Sequence, residues 1–535
     1  MISPSFPQRN KLRLAFFCAA ALAQVLAPKV PAFDSSHLIS PRYEQDNSNH
    51  YDIYTTQKQL DSRPNPPPGL GTKNTMLRED SDTVSLDVPE LIDSAGLRWD
   101  AIHFQAVALH GSYAFEHQYA FSPGVPIILR LVYLGKQQLL DLIRLSHIDE
   151  YISPLMLNAL TAILKAVFIG LLASEPCIEL YSLTASISYS HEYAYLVLII
   201  FIMMGAPPVV LRNAYAEPFF AYFSFRGMRF YHQQGYLTAA LCFALATCFR
   251  SNGIILIGFI IYGLVVRPLL NHYVSISGAG ISRTSLDTAK VLLGSFRQIR
   301  AKAVVYSSFL SAIVVAPFLT HQYLAYAAFC KGAEDFDDNL TYPRPWCLSR
   351  IPLVYSFVQA HYWDVGFLRY WTIAQIPNFL LAMPMLALTS CSGFMFLRLA
   401  YRGLTTTARS TTPSQPRDII ISPTPSVTLT LLPYVIHALV LSTLLLTTAH
   451  VQIALRVLPA ATPWASWAGA ALVMAGTRQD NAKPPDSAIR SSKGRKRDSS
   501  YPRSRAIFAS HMWIRWSVIW AFVSSILWLS FLPPA

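Results

Sequence analysis

Two carboxylates and two imidazoles, Asp100, Glu116, His103 and His117, fall within 18 residues of one another. Acids beside histidines are the parts of proton transfer: a carboxylate takes the proton of a hydroxyl while an imidazole orients it or shares the load. A departing anion such as a phosphate also needs fixed positive charge. Arg250, Arg369 and Arg456, each at or near the edge of an apolar run, offer it. On a helix Asp100 and His103 share a face, close enough to interact. Plainer readings stand beside these. Arg98 and Asp100 suit a local ion pair, and Trp99 an interfacial anchor. Arg250 is either a partnered charge or a helix end that snorkels to the interface. Glu217, next to Pro218, is either an acid favoured at a helix start or a carboxylate for an acceptor. The segment from His361 to Trp371 suits sugar stacking and an aromatic belt alike.

The elements that must position these groups are set by composition. Of 535 residues 53% are hydrophobic and 14% charged, with a mean hydropathy of +0.33, which predicts an all-α polytopic membrane protein. The net charge of +13 gathers between apolar runs, so it reads as membrane topology and not as a nucleic-acid surface. Seven cysteines are too few for a disulfide framework, and Cys18, Cys242, Cys248 and Cys391 lie inside apolar runs.

In chain order, residues 1–33 read as an N-terminal membrane segment and 34–96 as a polar luminal interval without helical period. Residues 97–150 form a luminal loop with short interfacial helices, in which 127–134 is too short to span. The membrane core then runs over 151–476, with Arg226 and Arg229 marking the cytosolic end of one segment. Within it the run 237–266 breaks at Asn252 and Gly253, because a continuous helix would exceed the ~30 Å hydrocarbon core. A luminal loop covers 330–374 and carries the sequon at Asn339. Cys330 and Cys347 flank its acidic part, as disulfide partners or as two separate cysteines. Residues 477–510 are a basic cytosolic insertion, and 511–535 a last helix. Counting gives about nine to eleven crossings. No Walker loop, dinucleotide motif or zinc spacing is present.

The order of motifs supports more. Arg98, Trp99, Asp100, His103 and Phe104, followed by the run from Tyr113 to Phe121 and by Pro123, Gly124 and Pro126, resemble the first luminal loop of the GPI mannosyltransferase 2 family. The stretches 250–253, 345–347, 355–359, 362–371, 375–380 and 450–452 continue the likeness in order. The resemblance implies a GT-C-type helical bundle in the endoplasmic reticulum membrane with a luminal active site. It implies an inverting transfer of mannose from dolichyl-phosphate-mannose to a GPI glycolipid precursor, in α-1,6 linkage. On that likeness Asp100, Glu116 and His117 are the catalytic candidates. Arg98, Trp99, His103, Glu217, Arg250, Asn252, Arg369, His450 and Gln452 are the substrate-binding ones. No cofactor, metal or nucleic acid is implied; the partners are the two lipids, the membrane and a small accessory subunit. The chain departs from the family in having Ala216 before Glu217 where a serine is usual, and in longer intervals at 37–95 and 477–509. Two rival readings are another transferase using a dolichyl-phosphate sugar, and a polytopic lipid transporter or scramblase, for which paired broken helices would be expected.

Overall fold

The computed structural model describes residues 9–26, 44–45, 51–52, 100–145, 154–204, 215–277, 301–331, 344–405, 425–481 and 501–529. Arg98, Trp99, Asn339 and most of 34–96 lie outside that set. Apart from a two-residue antiparallel ladder, Glu44–Gln45 with Tyr51–Asp52, the regular elements are helical. Apolar sequence beside a bilayer requires this, since a helix satisfies its backbone groups internally.

Helix α1 (Arg9–Leu26) lies along α4 (Pro154–Ser188), and between them in sequence come α2 (Asp100–His110) and α3 (Gly124–Leu145). Helix α5 (His191–Met204) and α6 (Ala216–His232) follow, and α6 packs against α4 and α7 (Tyr236–Phe249). After α7 the chain turns through a 3-10 segment, Ser251–Leu256, before resuming helix. Helix α8 (Ala301–Phe329) packs on α7, and α9 (Val354–Tyr362) lies outside the bundle. Helices α10 (Ile376–Thr405) and α11 (Pro425–Thr447) form a pair. A bent pair follows, α12 (Ala454–Ala461) and α13 (Trp464–Asn481), and α14 (Tyr501–Leu529) closes on α13.

Among the described residues four stretches are long and apolar enough to cross a bilayer: Ser251–His272, Ala301–Phe329, Ile373–Arg402 and Ser426–Thr447. A fifth is possible if Val451–Ala461 and Trp464–Thr477, bent by 86°, count as one broken span. The all-α polytopic class therefore stands. Nine to eleven crossings would require the shorter apolar helices to cross as well.

One detail differs from the sequence reading. The short interfacial segment expected at 127–134 is part of a 22-residue helix, α3, which Pro123, Gly124 and Pro126 open. A proline in the first turn loses no intrahelical bond. Arg226 and Arg229 lie in the last two turns of α6, which ends at His232. They reach across to Glu179 on α4, at 3.2 and 3.0 Å.

On α4, hydroxyls are taken up by the helix's own carbonyls. Ser182 and Thr184 donate to the carbonyls four residues back, at 2.8 and 2.7 Å. Small residues let helices close in: a Cβ on Gly227 would lie 2.5 Å from the Phe243 ring. The main core includes Tyr181, Phe243, Tyr434 and Trp464. A second, smaller core of Tyr119, Ala325, Trp346, Val354 and Val358 joins the end of α8, α9 and the 113–121 turn.

Candidate active site

Asp100 is the first residue of α2, where an acid meets the positive end of the helix dipole. Its Oδ2 accepts a hydrogen bond from Arg456 Nη2 at 3.1 Å. Arg456, from α12, is 356 residues away in sequence. Its Nε lies 2.7 Å from Glu217 Oε1, and its guanidinium stands over the Tyr215 ring at 5.5 Å. Glu217 lies in the first turn of α6 and is completely buried. The same Oε1 accepts from Arg250 Nη1. Arg250 caps the end of α7 with extended backbone, and so points back toward the start of α6.

The result is an alternating network, Asp100–Arg456–Glu217–Arg250, of two acids and two guanidiniums drawn from four helices. Buried charges need this kind of pairing, because the desolvation cost of one unpaired ion is several kcal/mol. The two readings of Arg250 are both realised in part: it ends a helix, and it has a partner. The expected contact between Asp100 and His103 is replaced. Asp100 turns to Arg456, while the His103 ring stacks on Phe121 at 4.8 Å and meets His117 edge-on at 5.6 Å. Burial lowers the affinity of both histidines for a proton. For His103 the neighbouring His117 adds to the effect and Asp100 opposes it; for His117, Glu116 opposes it.

Glu116 is held elsewhere. It lies in the 3-10 turn Glu116–Ala120, and its Oε2 accepts from Arg344 Nη1 and, at 2.9 Å, from Trp346 Nε1. Cys330 and Cys347 form a disulfide with a Cα separation of 5.7 Å, which sets Trp346 beside the end of α8.

The remaining candidates divide. Arg369 pairs at 3.1 Å with Asp364, both exposed. His450 shares a hydrogen bond of 2.9 Å with the carbonyl of Trp363 and stacks on Tyr370 at 4.7 Å. Asn252 lies two residues beyond Arg250, and Gln452 one helical turn before Arg456. Both Asn252 amide atoms, Gln452 Oε1 and Glu217 Oε2 are buried without a hydrogen-bond partner among the described residues. Buried polar atoms are almost always satisfied, so these four atoms keep capacity for a further polar partner. Arg344 and the central place of Arg456 were not legible from spacing. Each makes its contact across more than 200 residues of sequence.

An all-α membrane bundle that gathers carboxylates and paired guanidiniums at its helix ends is a polytopic membrane protein with a charged site among its helices. The comparison with known proteins makes this specific. The family description Mannosyltransferase (PIG-V) matches residues 77–535, and the chain belongs to that family. GPI mannosyltransferase 2 of Cryptococcus neoformans is 30% identical over 446 residues, covering 82% of this chain and 88% of its own. GPI alpha-1,6-mannosyltransferase 2 of Homo sapiens is 30% identical over 395 residues, covering 69% and 71%. The protein of the same name from Rattus norvegicus is 30% identical over 390 residues, with the same coverage. No solved structure matches the chain significantly. Membership of a mannosyltransferase family sets aside the transporter reading.

Proposed function

We propose that this enzyme adds the second mannose to a GPI-anchor precursor in α-1,6 linkage, taking it from dolichyl-phosphate-mannose on the luminal side of the endoplasmic reticulum membrane. The observation that carries the reading is the Asp100–Arg456–Glu217–Arg250 network, in a chain whose relatives bear that activity in their names.

The chemistry follows from the groups. Asp100 takes the proton of the acceptor mannose 6-hydroxyl as its oxygen attacks the anomeric carbon of the donor. The bond from that carbon to the phosphate oxygen breaks, and dolichyl phosphate leaves with the electron pair. One displacement turns a β-linked donor into an α-linked product, following the same geometric logic as inverting glycosidases. Arg456 and Arg250 supply positive charge where the leaving phosphate gathers its own. Glu217 keeps both guanidiniums in place between turnovers. Asn252 and Gln452 offer donors and acceptors suited to sugar hydroxyls. Glu116 and His117 act as a support for His103 in this scheme, and not as proton carriers.

The test is complementation of cells lacking their own second GPI mannosyltransferase, with analysis of lipid intermediates. The expected result is loss of the accumulated one-mannose precursor. Its persistence with the enzyme present in the membrane would overturn the acceptor assignment.

A further inference from the structure

We infer that Arg344 and Trp346 are positioning residues for the transfer, clamping Glu116 so that the His117–His103 pair is held against the helix that starts with Asp100. The inference rests on the reading of Asp100 as the base.

Glu116 is 7% exposed and both its recorded donors converge on one oxygen, Oε2. Those donors come from 228 and 230 residues downstream. Three features fix them there. The disulfide ties Cys347, the neighbour of Trp346, to Cys330 just past the end of α8. Trp346 is 2% exposed within the second core, among Tyr119, Val354 and Val358. The Arg344 guanidinium rests 4.3 Å above the centre of the Phe329 ring.

On the other side of Glu116 the order is passed on. His117 sits between His103, at 5.6 Å, and Tyr362, at 5.8 Å. His103 lies one turn from Asp100 on α2. The rest of the 3-10 turn is held in the same way: Gln118 Oε1 accepts the backbone N–H groups of Ala114 and Phe115, at 3.0 and 3.1 Å. The Tyr119 carbonyl accepts from His321 Nε2 at 3.0 Å. Glu116 is buried while the Arg344 side chain is 42% exposed, so the pair adds little net stability; two donors on one oxygen fix the direction of the carboxylate. Direction is what a turn bearing two histidines beside a base requires.

The experiment uses the full chain in microsomes from cells lacking their own second GPI mannosyltransferase, supplied with dolichyl-phosphate-mannose and a one-mannose GPI acceptor. Arg344→Gln is expected to lower kcat by about tenfold or more, with the acceptor KM within about threefold. Arg344→Lys should recover part of the loss. Because the pair acts as a unit, Glu116→Gln combined with Arg344→Gln should be no slower than Arg344→Gln alone. Wild-type kcat in Arg344→Gln, multiplying losses, or no recovery by lysine would overturn the clamp. If Arg344→Gln fails to accumulate, the double variant decides, since it leaves no unpaired buried charge: a low kcat supports the clamp, and a wild-type kcat overturns it. A wild-type enzyme that transfers no mannose to this acceptor would instead refute the function on which the inference rests.

Discussion

Asp100 and Arg456 meet at 3.1 Å although neither is near the other in sequence, and the proposed transfer is built on that pair. Asp100→Asn keeps the shape of the side chain and removes its basicity. Loss of transfer by about 10²- to 10⁴-fold is expected, with membrane insertion unchanged, as measured by single-turnover assay and carbonate extraction. Arg456→Gln leaves Glu217 buried with one partner fewer. A loss of about 3–5 kcal/mol is expected, read as a lower thermal midpoint in detergent. The histidines give a pH dependence. His103 and His117 are held below the ordinary value of 6.5, chiefly by burial, so the folded chain resists protonation that the unfolded chain accepts. As pH falls below 6.5 toward the folded values, the unfolded state therefore binds more protons and stability declines; above that window the effect vanishes. Thermal midpoints measured from pH 7.5 down to about 5 should fall less steeply in the double variant His103→Gln with His117→Gln. An equal slope would discard the prediction.

At the scale of the element, the interruption of the long apolar run matters most. Sequence length alone demanded a break near Asn252 and Gly253, and the chain breaks there, with α7 ending at Phe249 and a 3-10 turn beginning at Ser251. The break is what lets Arg250 reach Glu217. Gly253 makes it close-fitting, because an added Cβ would lie 2.7 Å from Thr247 Cα and 2.8 Å from Thr247 N, backbone atoms that cannot swing aside. Gly253→Ala should shift the turn and with it Arg250, lowering kcat/KM about tenfold or more while the protein remains membrane-inserted. Wild-type kinetics would show that the turn tolerates displacement. The start of α6 was legible, because Glu217 beside Pro218 suits a helix's first turn. The start of α3 was not, because Pro-Gly-x-Pro equally signals a turn and a helix N-terminus.

For the whole molecule, charge asymmetry predicts sidedness. On that pattern the sequon at Asn339, between Cys330 and Cys347 in sequence, is proposed to face the lumen. Treatment with endoglycosidase should therefore shift the mobility of the wild type and not of Asn339→Gln, whereas a sequon placed in 482–500 should remain unmodified. Glycosylation of the inserted site would reverse the assigned topology.

The sequence by itself determined that the chain is a helical membrane protein, where the acids and arginines concentrate, and which family it resembles. These depend on composition, local periodicity and motif order, all of which are properties of neighbouring residues. Tertiary structure alone decided which charges become partners. Asp100 went to Arg456 instead of His103, and Glu116, expected beside it in the chemistry, went to Arg344 and Trp346. Ion pairing depends on distance in space and on how thoroughly water is excluded, and a linear pattern encodes neither until the helices have packed.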